Sequence, residues 1–216
     1  YMQEVGTRDG LQMEQAFVPT EDKIALVNAL SAAGLAKIEV TSFTSPTAIP
    51  ALRDAEIVMR EIERRPGVVY TALVPNLRGA ERAIESKTDE LNLVMSASET
   101  HNLANLRMTR AQSFASLAQV VGMAQAANVE VNVSLSCVFG CPMEGDVAEA
   151  EVFGLVQRFA DLGVGGITLC DTTGMAYPSQ VAHTTAAARA RWPGMDFTLH
   201  FHNTRGMGLA NVLAAI

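Results

Sequence analysis

The stretch Phe197–Gly206, "FTLHFHNTRG", has the composition of a buried β-strand interrupted by two imidazoles. Strand side chains alternate between faces, so His200 and His202 point one way while Leu199 and Phe201 point the other. An apolar strand gains nothing from this: each buried nitrogen without a hydrogen-bond partner costs roughly 1–3 kcal/mol. The pair implies a shared ligand, a polar network or water, and a metal ion is the sharpest of these. The strand also closes a series. β-Branched runs recur at "YMQEV", "AKIEVTS", "VVYTALVP", "DELNLVM", "VEVNVSLSC" and "GGITLCD" before "FTLHFH". Between them stand amphipathic stretches such as "EDKIALVNALSAAG", "AIPALRDAEIVMREIERR", "RGAERAI", "AQSFASLAQVVGMAQAA", "VAEAEVFGLVQRFADLG" and "YPSQVAHTTAAARARW", most ended by Gly, Asn or Pro.

Strict βα alternation predicts a parallel sheet with right-handed crossovers, either doubly wound or closed into a barrel. The barrel is favoured on two grounds. No G-x-G-x-x-G turn follows the first strand, and polar residues gather at the C-terminal ends of many strands instead of at one switch point. The expectation is an α/β fold of the TIM (β/α)8 type, one catalytic domain over residues 1–216. A barrel of this kind takes about 250 residues, and the chain stops inside the helical pattern "GLANVLAAI" after a seventh strand. The expected barrel therefore lacks its eighth strand and C-terminal segment, as in a truncated chain.

The bulk properties narrow the partners. The chain of 216 residues is 49% hydrophobic and 18% charged with net charge -7, values typical of globular proteins. An acidic balance without basic clusters argues against nucleic acid. No uncharged apolar run reaches the ~20 residues that span a bilayer. Three cysteines, Cys137, Cys141 and Cys170, make no disulfide frame and fit a reducing, cytoplasmic setting. The opening "YMQEVG" carries no leader-like pattern, so export and organelle import gain no support.

Read together, the strand ends assemble a site. The first gives Arg8, Asp9 and Gln12 in "EVGTRDGLQ"; the second, Glu39 in "IEVTSF"; the sixth, Asp171 in "LCDTTG"; the seventh, His200 and His202. The simplest metal site joins the two histidines to Asp9. Such mixed ligation with open positions suits Mn²⁺, Zn²⁺ or Fe²⁺, whereas Mg²⁺ ordinarily takes more oxygen. Arg8, permanently cationic and forked, suits an enolate or carboxylate oxygen, and equally a salt bridge to Glu39 or Asp9. Glu39 and Asp171 are acid/base groups or the carboxylates that orient Arg8 and the histidines. The C-x₃-C pair Cys137/Cys141 reads as buried or loop thiols, the "GCPMEG" turn as a bend through Gly140, Pro142 and Gly145, His101 as an exposed loop residue within reach of substrate, and His183 as a helix-surface residue.

In this order, "EVGTRDGLQ", "IEVTSF", "SCVFGCPMEG", "DTTG" and "HFHNTRG" resemble the hydroxymethylglutaryl-CoA lyases, within a superfamily of metal-dependent Claisen-type lyases and synthases named for an Asp-Arg-Glu trio on a TIM barrel. The resemblance covers the whole chain. It implies Asp9, His200 and His202 as ligands of a divalent cation, Mg²⁺ or Mn²⁺ before Zn²⁺, with a further Asn ligand and a reactive loop cysteine beyond Ile216. It implies Arg8 as the enolate-stabilising arginine, Glu39 as the third member of the trio, Asp171 as an aspartate important for activity, and His200 in proton transfer. The implied activity is cleavage of 3-hydroxy-3-methylglutaryl-CoA to acetyl-CoA and acetoacetate, as in leucine degradation and ketone-body metabolism, by a homodimer acting on an acyl-CoA substrate. Asn132 and Ser134 stand where characterised lyases of the family carry Arg and Tyr, and "HNTRG" with Arg205 where they carry "HDTYG", which points to a related 3-hydroxy acyl-CoA as an alternative substrate. A Claisen synthase condensing acetyl-CoA with a 2-oxo acid is disfavoured by "GCPMEG" and by the lack of "TLRDGEQ". A non-catalytic barrel scaffold is disfavoured by the intact Arg8, Asp9, His200 and His202.

Overall fold

The computed structural model describes every residue from Tyr1 to Ile216. Its seven strands are β1 (Gln3–Glu4), β2 (Lys37–Ser42), β3 (Val69–Val74), β4 (Glu90–Ser96), β5 (Glu130–Ser136), β6 (Gly166–Asp171) and β7 (Asp196–Phe201). They form one sheet in chain order, β1 to β7. The pairs β1–β2, β2–β3, β3–β4, β5–β6 and β6–β7 are parallel. The crossovers carry α1 (Thr20–Ala32), α2 (Ala55–Glu61), α3 (Leu77–Glu85), α4 (Glu99–Leu106), α5 (Arg110–Ala126), α6 (Glu149–Asp161) and α7 (Pro178–Arg191), and α8 (Gly208–Ala214) follows β7. A doubly wound sheet reverses its strand order at a switch point; here the order never reverses. This is the βα succession of a TIM-type barrel, with seven of its eight strands in residues 1–216. No helix is long and apolar enough to cross a membrane.

The predicted strands all form, and the differences lie in the connections. The long helix read across "AIPALRDAEIVMREIERR" is a 3₁₀ turn, Pro50–Leu52, followed by the short α2. The chain turns extended at Ile62, and Arg65 precedes Pro66, where helical geometry is disfavoured. The loop "SASETHNLAN" contains α4, whose N-cap Ser98 accepts a hydrogen bond from the His101 N–H at 3.1 Å. Two turns are too few to announce themselves by periodicity. Arg8 and Asp9 lie in a single π-helical turn, Gly6–Gly10, in which the Asp9 N–H reaches the Val5 carbonyl at 2.7 Å.

The chain divides into two compact units. The first comprises Tyr1–Leu93 and Gln119–Val131. Its core is built from Ile38, Val40, Val58, Met59, Tyr70, Ala72, Leu91 and Leu93. Tyr70 is fully buried and spends its hydroxyl on Ser31 Oγ at 3.0 Å. The β2–β3 register slips between Glu39 and Thr41, and such bulges re-aim side chains at strand ends. The second unit comprises Val94–Ala118 and Asn132–Ile216. Here Val133, Leu135, Ile167 and Leu169 are wholly buried, as is Phe159 of α6. The alternate positions are polar and lie in rows: Ser134, Thr168 and Thr198 are register partners, and so are Cys170 and His200. Each strand thus sends an apolar row to one face and small polar side chains to the other.

Three loops of the second unit interlock behind β5, β6 and β7. The Cys137 N–H donates to Thr172 Oγ1 at 2.9 Å, Gln180 Nε2 to the Phe139 carbonyl at 3.3 Å, and Asn211 Nδ2 to the Ala176 carbonyl at 3.1 Å. Gly174 has φ +70, and a Cβ there would lie 2.8 Å from the Thr204 Cβ and Oγ1. Gly174→Ala is therefore expected to destabilise the fold by about 2–4 kcal/mol, combining a left-handed L-residue with overpacking. Gly154→Ala, mid-helix with open space around it, is expected to stabilise by about 0.5–1 kcal/mol. Urea denaturation midpoints of the two variants measure both.

Candidate active site

In the first unit the site is built around one guanidinium. Arg8 Nη2 lies 2.9 Å from Glu39 Oε2, and Arg8 Nη1 lies 2.7 Å from Asp9 Oδ1. Glu39 is 1% exposed and Arg8 8%, so the pair sits where charge is stable only when partnered. Asn92 Nδ2 donates to Glu39 Oε1 at 2.7 Å, and Thr7 Oγ1 donates to the Glu39 backbone carbonyl at 2.7 Å. The sequence left Arg8 either to a substrate oxygen or to a salt bridge with Glu39 or Asp9; in the structure it bridges both carboxylates at once. Asp9, with a side chain 29% exposed, is the open end of this row of charges. Asn92 was not expected here. A polar residue in the middle of β4 was the available signal.

In the second unit His200 and His202 stack, with ring centroids 5.0 Å apart and planes 15° from parallel. The shared face predicted from their spacing holds, although His202 lies one residue past the end of β7. Asp9 in the first unit and His200 and His202 in the second each offer one donor atom of a kind that binds metal ions. The donor set fits a divalent cation. Imidazole nitrogens and carboxylate oxygens bind such ions at about 2.0–2.2 Å.

Asp171 is 1% exposed and stands in register with Phe201, one position beyond the Cys170–His200 pair. Its Oδ1 accepts the N–H groups of Met175 (2.7 Å) and Ala176 (3.1 Å). In this structure the carboxylate organises the loop after β6. The three cysteines are free and buried. Burial pushes the Cys137 thiol up to about 11. Burial also acts on Cys141, but the Ser98 hydroxyl, donating to its Sγ at 3.1 Å, and the Met143 and Glu144 N–H groups outweigh it and bring that thiol down. The "GCPMEG" bend is closed by reciprocal Cys141–Gly145 backbone hydrogen bonds of 2.8 and 2.7 Å. His101 is half-buried rather than exposed, and desolvation lowers its pKa. His183 stays on the surface of α7, 3.4 Å from Glu149.

Parallel βα repeats bearing a carboxylate-clamped arginine and an Asp/His/His donor group define a barrel enzyme of the metal-dependent kind. The HMGL-like family model matches residues 1–216, and the chain belongs to that family. Hydroxymethylglutaryl-CoA lyase YngG of Bacillus subtilis is 47% identical over 215 residues, which are 100% of this chain and 72% of that protein. The mitochondrial hydroxymethylglutaryl-CoA lyase of Homo sapiens is 38% identical over 213 residues, 99% of this chain and 66% of that protein. Among solved structures, an HMG-CoA lyase from Acinetobacter baumannii, in complex with coenzyme A and 3-methylmalate, is similar with a TM-score of 0.95 and 52% identity over 99% of this chain and 70% of that one.

The buried ion pair makes a direct prediction. Glu39→Gln removes the charge that faces Arg8 and is expected to cost about 3 kcal/mol, the lower end of the range for breaking a buried pair, because Asp9 still partners the guanidinium. Urea unfolding followed by circular dichroism measures it; an unchanged midpoint would show that the pair contributes nothing to stability.

Proposed function

We propose that residues 1–216 form the catalytic barrel domain of a divalent-metal-dependent carbon–carbon lyase that cleaves 3-hydroxy-3-methylglutaryl-CoA, or a close 3-hydroxy acyl-CoA, to acetyl-CoA and acetoacetate or the corresponding oxo acid. The lyases named among its relatives support the reaction class. The observation that carries the mechanism is the Arg8 fork held between Asp9 and Glu39. A guanidinium already fixed by two carboxylates loses little freedom when it meets new negative charge, and a preorganised donor aimed at developing charge often does more to lower a barrier than any other single effect.

Retro-Claisen cleavage generates such a charge. A base takes the proton of the 3-hydroxyl, the C2–C3 electron pair leaves with the thioester fragment as its enolate, C3 becomes a ketone, and the enolate carbon takes up a proton to give acetyl-CoA. Arg8 meets the enolate oxygen, and Glu39 is its positioning residue, itself oriented by Asn92. His200 carries the transferred proton. Asp171 positions the loop after β6 through Met175 and Ala176. Asp9, His200 and His202 would hold the cation, Mg²⁺ or Mn²⁺ in preference to Zn²⁺. When bound, that cation supplies Lewis acidity that eases deprotonation of the alcohol.

Substrate breadth is supported by the small polar row Ser134, Thr168 and Thr198 and by Asn132, whose Nδ2 is committed to Thr168 Oγ1 at 2.9 Å. We further propose a cytoplasmic homodimer acting in leucine degradation and ketone-body metabolism.

Purified protein given hydroxymethylglutaryl-CoA and Mn²⁺ or Mg²⁺ is expected to release acetyl-CoA, and a chelator to stop it. Arg8→Gln, confirmed as folded, is expected to lower kcat about 100- to 1000-fold. His202→Ala is expected to lose stoichiometric Mn²⁺ binding by calorimetry. Wild-type turnover in Arg8→Gln would refute the enolate assignment.

A further inference from the structure

We infer that the hydroxyl row Ser134, Thr168 and Thr198 selects the branch that the substrate carries on C3, and that the branch it takes is a hydroxyalkyl group in place of a plain methyl; this rests on the lyase reading above. Strand register sets the row. Thr168 pairs with Ser134 on one side and with Thr198 on the other, so three hydroxyl-bearing side chains from β5, β6 and β7 face the same way at one level. Two residues further along the strands, Cys170 pairs with His200. In parallel barrels the chemistry sits at the C-terminal ends of the strands. The hydroxyls therefore lie about 7 Å beneath the level of His200, the proposed proton carrier. A short branch ending in a hydroxyl covers that depth together with its hydrogen bond.

Layers inside a barrel of this type are ordinarily filled by Val, Ile and Leu. Smaller side chains here leave open the space that branched ones would fill. The exposures agree: Ser134 keeps 8% and Thr168 6% of its surface, whereas Val133, Leu135, Ile167 and Leu169 on the opposite face keep none. Thr198 and His200 are half-buried. The row fronts an open space while its neighbours in sequence are sealed in the core.

The Thr168 hydroxyl is aimed by its surroundings. Asn132 Nδ2 donates to Thr168 Oγ1 at 2.9 Å, which uses that oxygen as an acceptor and leaves its own proton to be given to a second group. Asn132 can lie against β6 because residue 166 is glycine: a Cβ there would stand 2.9 Å from Asn132 Oδ1. A buried hydroxyl that must donate discriminates strongly, since an analogue lacking the acceptor leaves it unpaired, whereas an apolar pocket separates the two poorly. A hydroxyl on the branch accepts from Thr168 and donates in turn to an oxygen of Ser134 or Thr198; a methyl does neither. A carboxylate branch also accepts, but its charge would meet only neutral groups in this row, a costly burial.

The test compares 3-hydroxy-3-(hydroxymethyl)glutaryl-CoA with 3-hydroxy-3-methylglutaryl-CoA in wild type, Thr168→Val and Thr168→Ser. The wild type is expected to favour the hydroxymethyl thioester in kcat/KM by about tenfold. Thr168→Val, which keeps the shape and removes the hydroxyl, is expected to lose that preference, and Thr168→Ser to retain it; tenfold is the scale of one neutral hydrogen bond. Where Thr168→Val does not fold, Thr198→Val is read in the same way. Cleavage of both thioesters with no preference for the hydroxymethyl one, or with a preference that Thr168→Val leaves intact, overturns the inference while the lyase reading stands. Should neither thioester be cleaved, calorimetric titration of the two free acids decides. Thr168-dependent preference for the hydroxymethyl acid upholds the row while the lyase reading fails, and equal or absent binding of the two acids removes the row.

Discussion

Burying Arg8 against Glu39 is the constraint from which the first unit's functional geometry follows. Each ion taken out of water costs several kcal/mol even after relaxation, so neither could sit at 8% and 1% exposure alone. The cost is offset only by close pairing and by hydrogen bonds to the remaining polar atoms, and the structure supplies both. Glu39 uses one oxygen on Arg8 and the other on Asn92, while Thr7 and the π-helical turn bring the backbone around Arg8 against β2. The β2–β3 register slip falls directly after Glu39, while Ile38 and Val40 stay buried on either side of it in the chain. A guanidinium held this firmly can act on a reacting oxygen without first being organised.

The second unit solves a different problem, that of holding imidazoles at the frayed end of a strand. His202 lies beyond the last residue of β7, so the ladder alone does not fix it. Rigidity comes from the neighbouring loops: Gly174 packs against Thr204, two residues past His202, Met175 packs against Gly140, and Asn203 Oδ1 accepts the Gly208 N–H at 2.9 Å at the start of α8. Asp171 ties the middle loop together through Met175 and Ala176. The sulfur atoms take part in this scaffold. Cys141 accepts from Ser98, linking the loop after β5 to the cap of α4. Strong hydrogen bonding to a buried thiol is thus an architectural device here, and the odd cysteine count has no disulfide behind it.

The family membership and these two constructions bear on one another. Relatives over 66–72% of whose length this chain aligns are hydroxymethylglutaryl-CoA lyases, and the reaction they are named for separates a carbanion equivalent from a ketone. That chemistry needs a fixed cation for the developing enolate and a polar, proton-handling group on the other fragment. Arg8 is buried in its ion pairs with Glu39 and Asp9, and the two imidazoles are half-buried and stacked.

Most of the fold could be read from the residues, because period-two apolar runs alternating with helical patterns leave little choice but parallel βα units. The candidate residues stood out for a related reason: arginine, aspartate and paired histidines in predicted strands have no place in a core unless they are partnered. The chain order of strands, which separates a barrel from a doubly wound sheet, was decided in three dimensions, since both share the same local pattern. So was the fate of Arg8: sequence offered Asp9, Glu39 or a substrate oxygen as its partner, and the folded chain joined it to the two carboxylates together. The partner of Asn92, the capped helix α4 and the interlocked loops were invisible beforehand, because a hydrogen bond between residues 53 positions apart or a glycine fitted to a distant threonine leaves no local periodic trace.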